Sequence, residues 1–398
     1  MGAVLFLPLG LTPTLICLYV CLLLWLMAGG FRTRFEVIKD SPLAWATLML
    51  VVLMLLGAIY SNAPAADIKL ALSKNLKLLL FLVALSLLDQ RIWVERSLNL
   101  FTASMLLVLV LSLLSVWITI PGLRAGLVPS GTADGLVRDH VVFKDHIIQN
   151  LMMTLLVLIA ALRAIGAERP RQRLFWSAVV LLAAFDVLFL VHGRTGHLTV
   201  IAVLILVSLV NLPARFRLVA IGAIASLVVG AYGFMPEIRS RVDQAIAALQ
   251  TIGEQDTSPV GQRFEFYRVT LELIRDRPWL GWGTGSYRTE FCRAVDSAQW
   301  CGFGGFHPHN QFLLYGIQIG VIGILAFAWY VCTPLIGSMH LPTRTRTLVW
   351  GMTLMLFIDA LFNVPHFFAN EAHFFILMLA TVHAAARLAR PSGSECGV

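Results

Sequence analysis

The residues most able to do chemistry lie in one stretch, residues 301–323, CGFGGFHPHNQFLLYGIQIGVIG. His307, His309 and Asn310 stand where a glycine-rich loop meets an apolar run of about 20 residues, the length of a membrane span. A histidine titrates near neutral pH and can take a proton from a hydroxyl nucleophile, so these rings are candidate general bases. Asn310 could cap the helix that follows. An alternative is that the imidazoles only bind lipid headgroups or helix ends.

A metal site is a third interpretation of the two histidines, because alternate histidines on an extended segment can both ligate zinc. Zinc needs a third and a fourth ligand. The other connections do hold histidines, but none has a recognisable ligand spacing: His140, His146, His192 and His197. We therefore predict no metal site.

Three arginines form a second group of candidate residues. Arg194 lies in HGRTGHL, and Arg263 and Arg268 lie in GQRFEFYRV. A guanidinium is always charged, and its planar fork matches two phosphate oxygens at once. Each arginine could instead pair with a carboxylate; those near the second and third are Glu265, Glu272 and Asp276. Three arginines together with a histidine favour an anionic, lipid-linked substrate.

The elements that must position these residues are membrane helices. The chain has 398 residues, of which 58% are hydrophobic and 13% charged, against roughly 25% charged in soluble proteins. Apolar runs long enough to span a bilayer recur near 4–28, 41–60, 75–89, 98–120, 148–166, 174–191, 198–212, 217–235, 311–332, 347–364 and 372–388. The first contains Pro8 and Pro13, which favours a short helix plus a full span. We predict an all-α polytopic membrane protein with eleven or twelve spans and no cleavable signal peptide.

The formal net charge of +8 does not require nucleic acid as a partner, because basic residues concentrate in alternate connections. The positive-inside rule makes these connections cytoplasmic, together with the C-terminus. The opposite connections are then 61–74, 121–147, 192–197, 236–310 and 365–371. Basic residues in this outer set need another explanation; they are Lys69, Lys74, Arg124, Arg138, Arg194, Arg263 and Arg268.

The predicted organisation has three parts: N-terminal spans in 1–235, an outer loop in 236–310 that carries the histidine motif, and C-terminal spans in 311–398. Apolar spacing within the loop predicts an amphipathic helix over 237–252 at the membrane surface. A second helix is predicted over 262–278, ended by Pro278. Cys292 and Cys301 also lie in this loop, where an oxidising compartment would permit a disulfide, but spacing alone leaves their pairing open.

The histidine motif resembles that of the O-antigen ligase family. His309 and Asn310 are followed by nine residues and then by Gly320-x-x-Gly323, as in that family's pattern. The upstream GQRFEFYRVTLELIRDRPWLGWGTGSY is similar to the family's arginine helix and glycine turn, and HGRTGHL to its earlier arginine motif. One departure is Tyr267, where relatives often carry Trp.

The resemblance implies a function on the periplasmic face of a bacterial inner membrane. It implies transfer of a polysaccharide from undecaprenyl pyrophosphate to a sugar hydroxyl of lipid A-core, without metal or other cofactor. His309 matches the catalytic base, and Arg194 and Arg263 match the arginines that hold the pyrophosphate. Arg268, His307, Asn310 and Tyr267 are candidates for supporting roles. A single displacement would invert the anomeric configuration.

Other functions remain open at this stage. A polymerase of repeat units, or an oligosaccharyltransferase acting on protein, would use the same lipid carrier and the same chemistry. Protein-modifying relatives usually carry a longer C-terminal extension than the eight residues after Arg390, which favours a ligase. A transporter or flippase for anionic lipid-linked glycans would need paired halves or interrupted helices, and none is evident. The glycan, the acceptor sugar and the oligomeric state cannot be deduced.

Overall fold

The protein is a bundle of helices, in a computed structural model that describes residues 1–124, 126–129, 136–234, 259–295 and 297–390, with Arg239, Asp243 and Ile246. The first eleven helices are α1 (Gly2–Phe6), α2 (Leu11–Met27), α3 (Phe31–Lys39), α4 (Pro42–Ile59), α5 (Ala65–Leu76), α6 (Leu79–Leu87), α7 (Arg91–Leu114), α8 (His146–Gly166), α9 (Pro170–Phe185), α10 (Arg194–Asn211) and α11 (Ala214–Phe234). The last six are α12 (Pro259–Asp276), α13 (Tyr287–Val295), α14 (Ala298–Gly304), α15 (Gln311–Gly337), α16 (Thr343–Phe362) and α17 (Ala369–Leu388).

Two smaller elements interrupt the helical pattern. A π-helical turn, Asp186–Leu190, continues α9. Strands β1 (Gly126–Pro129) and β2 (Leu136–Asp139) pair antiparallel in the smaller outer connection, with Gly126 opposite Asp139. The all-α polytopic membrane class is confirmed, with this hairpin as an addition.

Every predicted span coincides with helix, although not every helix is equally suited to cross a membrane. In the described part of the chain, eight helices or helix pairs are long and apolar enough, or up to nine if the bent pair α2 and α3 is one span. The break near Pro8 separates α1 from α2, as predicted. The axes of α2 and α3 differ by 115°, and no residue of α3 is buried. Helix α8 lies in the interior of the bundle, since 83% of its apolar stretch is buried.

The large loop is described from residue 259 onward. The helix predicted over 262–278 is α12, which ends at Asp276, close to Pro278. The helix predicted over 237–252 lies almost entirely outside the described residues. Cys292 and Cys301 form a disulfide between α13 and α14, which settles the pairing that their spacing left open.

The connections sort to two ends of the bundle in the alternation expected from their charges. At one end, Lys144 Nζ donates to Asn370 Oδ1 at 2.9 Å, and Ser61 Oγ donates to the Thr284 carbonyl at 2.8 Å. These bonds join members of the predicted outer set. At the other end, Arg163, near the end of α8, donates to Asn99 Oδ1 of α7 at 2.6 Å.

Labelling from outside tests the orientation. We expect Arg275→Cys, exposed on α12, to react with a membrane-impermeant thiol reagent in intact cells, and Thr343→Cys, exposed at the start of α16, to react only after permeabilisation. The background variant replaces the cysteines outside the disulfide, which are Cys17, Cys21, Cys332 and Cys396. Equal labelling of both positions in intact cells would contradict this orientation.

Candidate functional site

Gly320, the first glycine of the motif, lies at a break in α15. Gly320 has φ +73° and ψ −162°, outside the helical region, so the backbone hydrogen-bond ladder is interrupted there. The N–H groups of Trp282 and Gly283 bind the freed carbonyls of Ile317 and Gln318 at 2.8 and 2.9 Å. The turn that follows α12 is thereby inserted into α15, and the helix that begins after Asn310 is fixed relative to the arginine helix.

Gly320 cannot be replaced without disturbing this junction. A Cβ atom there would overlap the Trp279 carbonyl, and a backbone with φ +73° and ψ −162° is adopted essentially by glycine alone, at a cost of about 1–3 kcal/mol for other residues. We expect Gly320→Ala to lower the free energy of unfolding by more than about 2 kcal/mol, measured by thermal unfolding in detergent. Gly302→Ala is the matched control, because it lies on α14 with nothing within 4 Å of its Cβ position. A neutral Gly320→Ala variant would contradict this account.

His309, just before the start of α15, is held by two contacts and has an unusual backbone conformation. Its ring stacks on Phe266 of α12, with centroids 6.1 Å apart and an interplanar angle of 15°. Its carbonyl accepts a hydrogen bond from Tyr267 Oη at 3.1 Å. Its φ of +52° is the only positive value at a non-glycine residue in the described part of the chain. Such a conformation persists only where the surroundings enforce it, and it often marks a functional position.

The neighbouring motif residues support this arrangement. His307 is buried, and its Nδ1 accepts from the backbone N–H of His309 at 3.3 Å. The two imidazole centroids are 4.3 Å apart. Asn310 caps α15 through a hydrogen bond from the Leu313 N–H to Oδ1 at 3.0 Å, as its position suggested. Its Nδ2 donates to the Leu361 carbonyl at 3.1 Å, which ties the motif to the end of α16.

Arg194 and Arg263 line one cavity of about 230 Å³. Arg194 begins α10, and Arg263 lies half-buried in the first turns of α12, so two separate elements supply the two guanidinium groups. Tyr267 lines the same cavity, and its one hydroxyl proton is shared between the His309 carbonyl and the Leu361 carbonyl, the latter at 2.9 Å. Arg263 takes part in none of the ion pairs found among the described residues. The cavity therefore offers cationic donors to a ligand, beside the residue that holds His309.

Arg268 is placed differently from the other two arginines. It is exposed on α12 and forms ion pairs with Glu265 at 2.6 Å and Glu272 at 2.8 Å. This is the carboxylate pairing that its sequence allowed. The structure does not bring Arg268 into the cavity with Arg194 and Arg263.

Burial and the nearby arginine keep both imidazoles neutral. Burial lowers the pKa of His309 to about 4, and the positive charge of Arg263 adds to this effect. Burial, followed by His309 and Arg263, lowers the pKa of His307 to about 3. A neutral imidazole can accept a proton, so the site holds the ring in the form that a general base requires.

The acid limb of the pH profile tests this conclusion. Because its pKa is lowered, His309 gains a proton only when the pH falls through about 4, and above that value it remains competent as a base. We expect kcat/KM of the wild type, which reports the free enzyme, to hold down to about pH 5 and to fall below it. An acid limb centred near 6.5, the value of an unperturbed histidine, would show that the site does not depress this pKa.

Sequence reasoning missed several residues of this site. Phe266 could have been identified from the helical spacing of α12, since it lies three residues after Arg263. Phe362, which lines the arginine cavity, and the Leu361 carbonyl come from a distant helix and leave no local signal. Among the described residues, no group of three or more His, Cys, Asp or Glu side chains is arranged to hold a metal ion.

Fold and site together define a polytopic membrane protein with a histidine–arginine site built from the connections at one end of its helices. Residues 178–328 match the family model described as "O-Antigen ligase". This match confirms, over that segment, the resemblance of the motifs to the O-antigen ligase family. The matched segment contains Arg194, Arg263 and His309.

Two further comparisons concern the whole chain. No protein among the curated sequences matches it. The chain resembles a chain in the solved structure titled "Structural coordination of polymerization and crosslinking by a peptidoglycan synthase complex", with a TM-score of 0.50 and 18% identity over 87% of this chain and 98% of that one. At this identity the likeness concerns the fold alone.

Proposed function

We propose that the protein is an O-antigen ligase, which transfers a polysaccharide from undecaprenyl pyrophosphate to a sugar hydroxyl of lipid A-core. The family supports a ligase- or polymerase-type glycosyltransferase function. The observation that carries the proposal is that Arg194 and Arg263 line the same cavity. Tyr267 also lines this cavity, and its hydroxyl donates to the backbone carbonyl of His309. The proposed location is the periplasmic face of the inner membrane.

The arginines bind and stabilise the leaving group. Breaking a glycosyl–pyrophosphate bond builds negative charge on the departing diphosphate. Fixed cationic donors in a partly buried cavity stabilise such charge more than water does, and they need no reorganisation during the reaction. Arg194 and Arg263 sit on separate elements, so each can bind a different part of the diphosphate.

His309 removes the proton of the acceptor. The acceptor hydroxyl oxygen attacks the anomeric carbon while the bond from that carbon to the pyrophosphate oxygen breaks. The hydroxyl proton passes to the neutral imidazole, and the bonding electrons leave with undecaprenyl pyrophosphate. This single displacement inverts the anomeric configuration and requires no metal or other cofactor.

Reconstitution tests the function. We expect the purified full-length protein, incubated with undecaprenyl-pyrophosphate-linked glycan and lipid A-core, to form a conjugate that migrates as a ladder on a gel, with or without chelator. A reaction that consumes donor without acceptor, and lengthens the lipid-linked glycan, would identify a polymerase instead. Transfer to protein but not to lipid A-core would identify an oligosaccharyltransferase.

A transporter is the rival from another functional class. It would move the lipid-linked glycan between leaflets and leave the bond to pyrophosphate intact. The break of α15 at Gly320 is filled by the backbone of the turn after α12, so this interruption belongs to a fixed junction. That observation favours an enzyme over a transporter, whose interrupted helices line a substrate path.

A further inference from the structure

A second cavity, distinct from the arginine cavity, lies near the histidine motif. It has a volume of about 120 Å³ and is lined by residues of α5, the start of α13, the start of α15 and the connection before α17. Gln311, next to the cap residue Asn310, lines it. Phe367 also lines it and packs against His307, with ring centroids 5.4 Å apart. The motif is therefore in contact with residues that line each of the two cavities.

Two cations of the outer connections face this second cavity. Lys74 and Arg288 line it, and neither takes part in the ion pairs of the described residues. Each lies over an aromatic ring instead: Lys74 Nζ is 4.8 Å from the centroid of Phe367, and Arg288 Cζ is 5.4 Å from that of Phe306. Lys74 is one of the outer basic residues that membrane topology does not explain. Together they provide positive charge for an anionic ligand.

His366 supplies a hydrogen-bond acceptor in the same cavity. It is 1% exposed, and its Nε2 has no partner. The Tyr315 hydroxyl donates its one proton to Asn75 Oδ1 at 2.8 Å, so it must accept from His366 Nδ1 at 2.9 Å. The neutral ring then carries its proton on Nδ1, and Nε2 presents a lone pair. A buried lone pair of this kind calls for a donor such as a sugar hydroxyl.

On these grounds we infer that the second cavity binds an anionic sugar of the glycan acceptor, with Lys74 and Arg288 at the anion and His366 at a hydroxyl. This inference rests on the proposed function. The volume is well below the roughly 300–1,000 Å³ of sites for drug-sized ligands, so the cavity suits one sugar residue, not a polymer. Asp67, which also lines it, offers a further acceptor for hydroxyl groups. The donor pyrophosphate and the acceptor then approach the histidine motif from separate cavities.

Direct binding tests the assignment independently of activity. The probe is soluble core oligosaccharide freed of its lipid, compared with the same material after its phosphates are removed and its carboxylates reduced. We expect the full-length protein in nanodiscs of neutral phospholipid to bind the intact probe at least about tenfold more tightly, since hydrogen bonds to charged groups are stronger than those between neutral groups. Equal binding of the two probes would overturn the inference.

Variants then locate the binding and distinguish acceptor from donor. We expect Lys74→Gln and Arg288→Gln each to raise the KM for lipid A-core about tenfold and to change the KM for the donor by less than about twofold. The matched controls are Lys69→Gln on α5 and Arg275→Gln on α12, both exposed and outside the cavity, which should behave as wild type. A rise in the donor KM alone would assign the cavity to the donor glycan and refute the inference.

The two proposals fail in different ways. If the wild type binds the intact probe but forms no conjugate with any acceptor, the ligase function is wrong and the anionic-sugar cavity stands. If the wild type forms the conjugate while both Lys74→Gln and Arg288→Gln retain a normal acceptor KM, the cavity assignment is wrong and the ligase function stands.

Discussion

His309→Ala is expected to insert and fold normally but to lose transfer by about 10²- to 10⁴-fold, the usual cost of removing a general base. The His309 ring is neutral and stacks on Phe266, and the backbone of His309 is fixed by the hydrogen bond from Tyr267 to its carbonyl. The measurement is the initial rate of conjugate formation by purified protein, with thermal unfolding as the test of folding.

His307→Ala is the control for this variant, since the two imidazoles are separated by one proline. His307 accepts a hydrogen bond from the His309 backbone, and it does not contact Tyr267, the cavity residue that binds the His309 carbonyl, through any hydrogen bond found among the described residues. We expect this variant to keep appreciable activity, within about tenfold of wild type, because it loses one neutral hydrogen bond. Substantial transfer by a well-folded His309→Ala protein would refute the mechanism. Loss of wild-type activity with chelator, restored by zinc, would instead identify the histidine pair as ligands.

Arg194→Ala and Arg263→Ala are expected to lower kcat/KM by about 10²- to 10³-fold each, comparable to removing a fixed donor from a developing anion. Replacement by Lys should retain more activity than Ala, since the charge persists while the bidentate fork is lost. The measurement is steady-state transfer at several donor concentrations.

Arg268→Ala is the matched control for the arginines. It lies on the same helix as Arg263, but it is exposed and already paired with Glu265 and Glu272. Exposed pairs of this kind contribute little, so the change should stay within about twofold of wild type. Near-normal transfer by both Arg194→Ala and Arg263→Ala, at normal protein levels, would leave these two arginines without a role in the reaction.

The periodicity of the sequence was sufficient to predict the helices and the face of α12 that lines the arginine cavity. Residues 263 and 268 are five positions apart, about 140° around a helix, so a single helix cannot direct both arginines to one place. Arg263 and Tyr267 are one turn apart and do share a face, and the structure places both on the arginine cavity. The alternation of apolar runs and basic connections predicts the orientation of the bundle, which the labelling experiment tests.

Contacts between distant segments could not be predicted in the same way. The family pattern contains Gly320, but nothing in one sequence indicates that the turn after α12 binds the carbonyls it frees. The second cavity combines Lys74 with His366, nearly 300 positions apart, and its unpartnered Nε2 depends on a hydrogen-bond chain through Tyr315. The disulfide remained open for the same reason, because spacing does not determine how two helices approach each other.

The most direct test counts both products of one reaction. Purified protein is incubated with lipid-linked glycan and lipid A-core, and the undecaprenyl pyrophosphate released is compared with the glycan attached to the acceptor. We predict that the wild-type protein releases one carrier for every glycan attached and inverts the anomeric linkage. The His309→Ala variant should neither release the carrier nor attach the glycan. Donor recovered with its pyrophosphate bond intact, or carrier released in step with lengthening of lipid-linked glycan, would contradict this function.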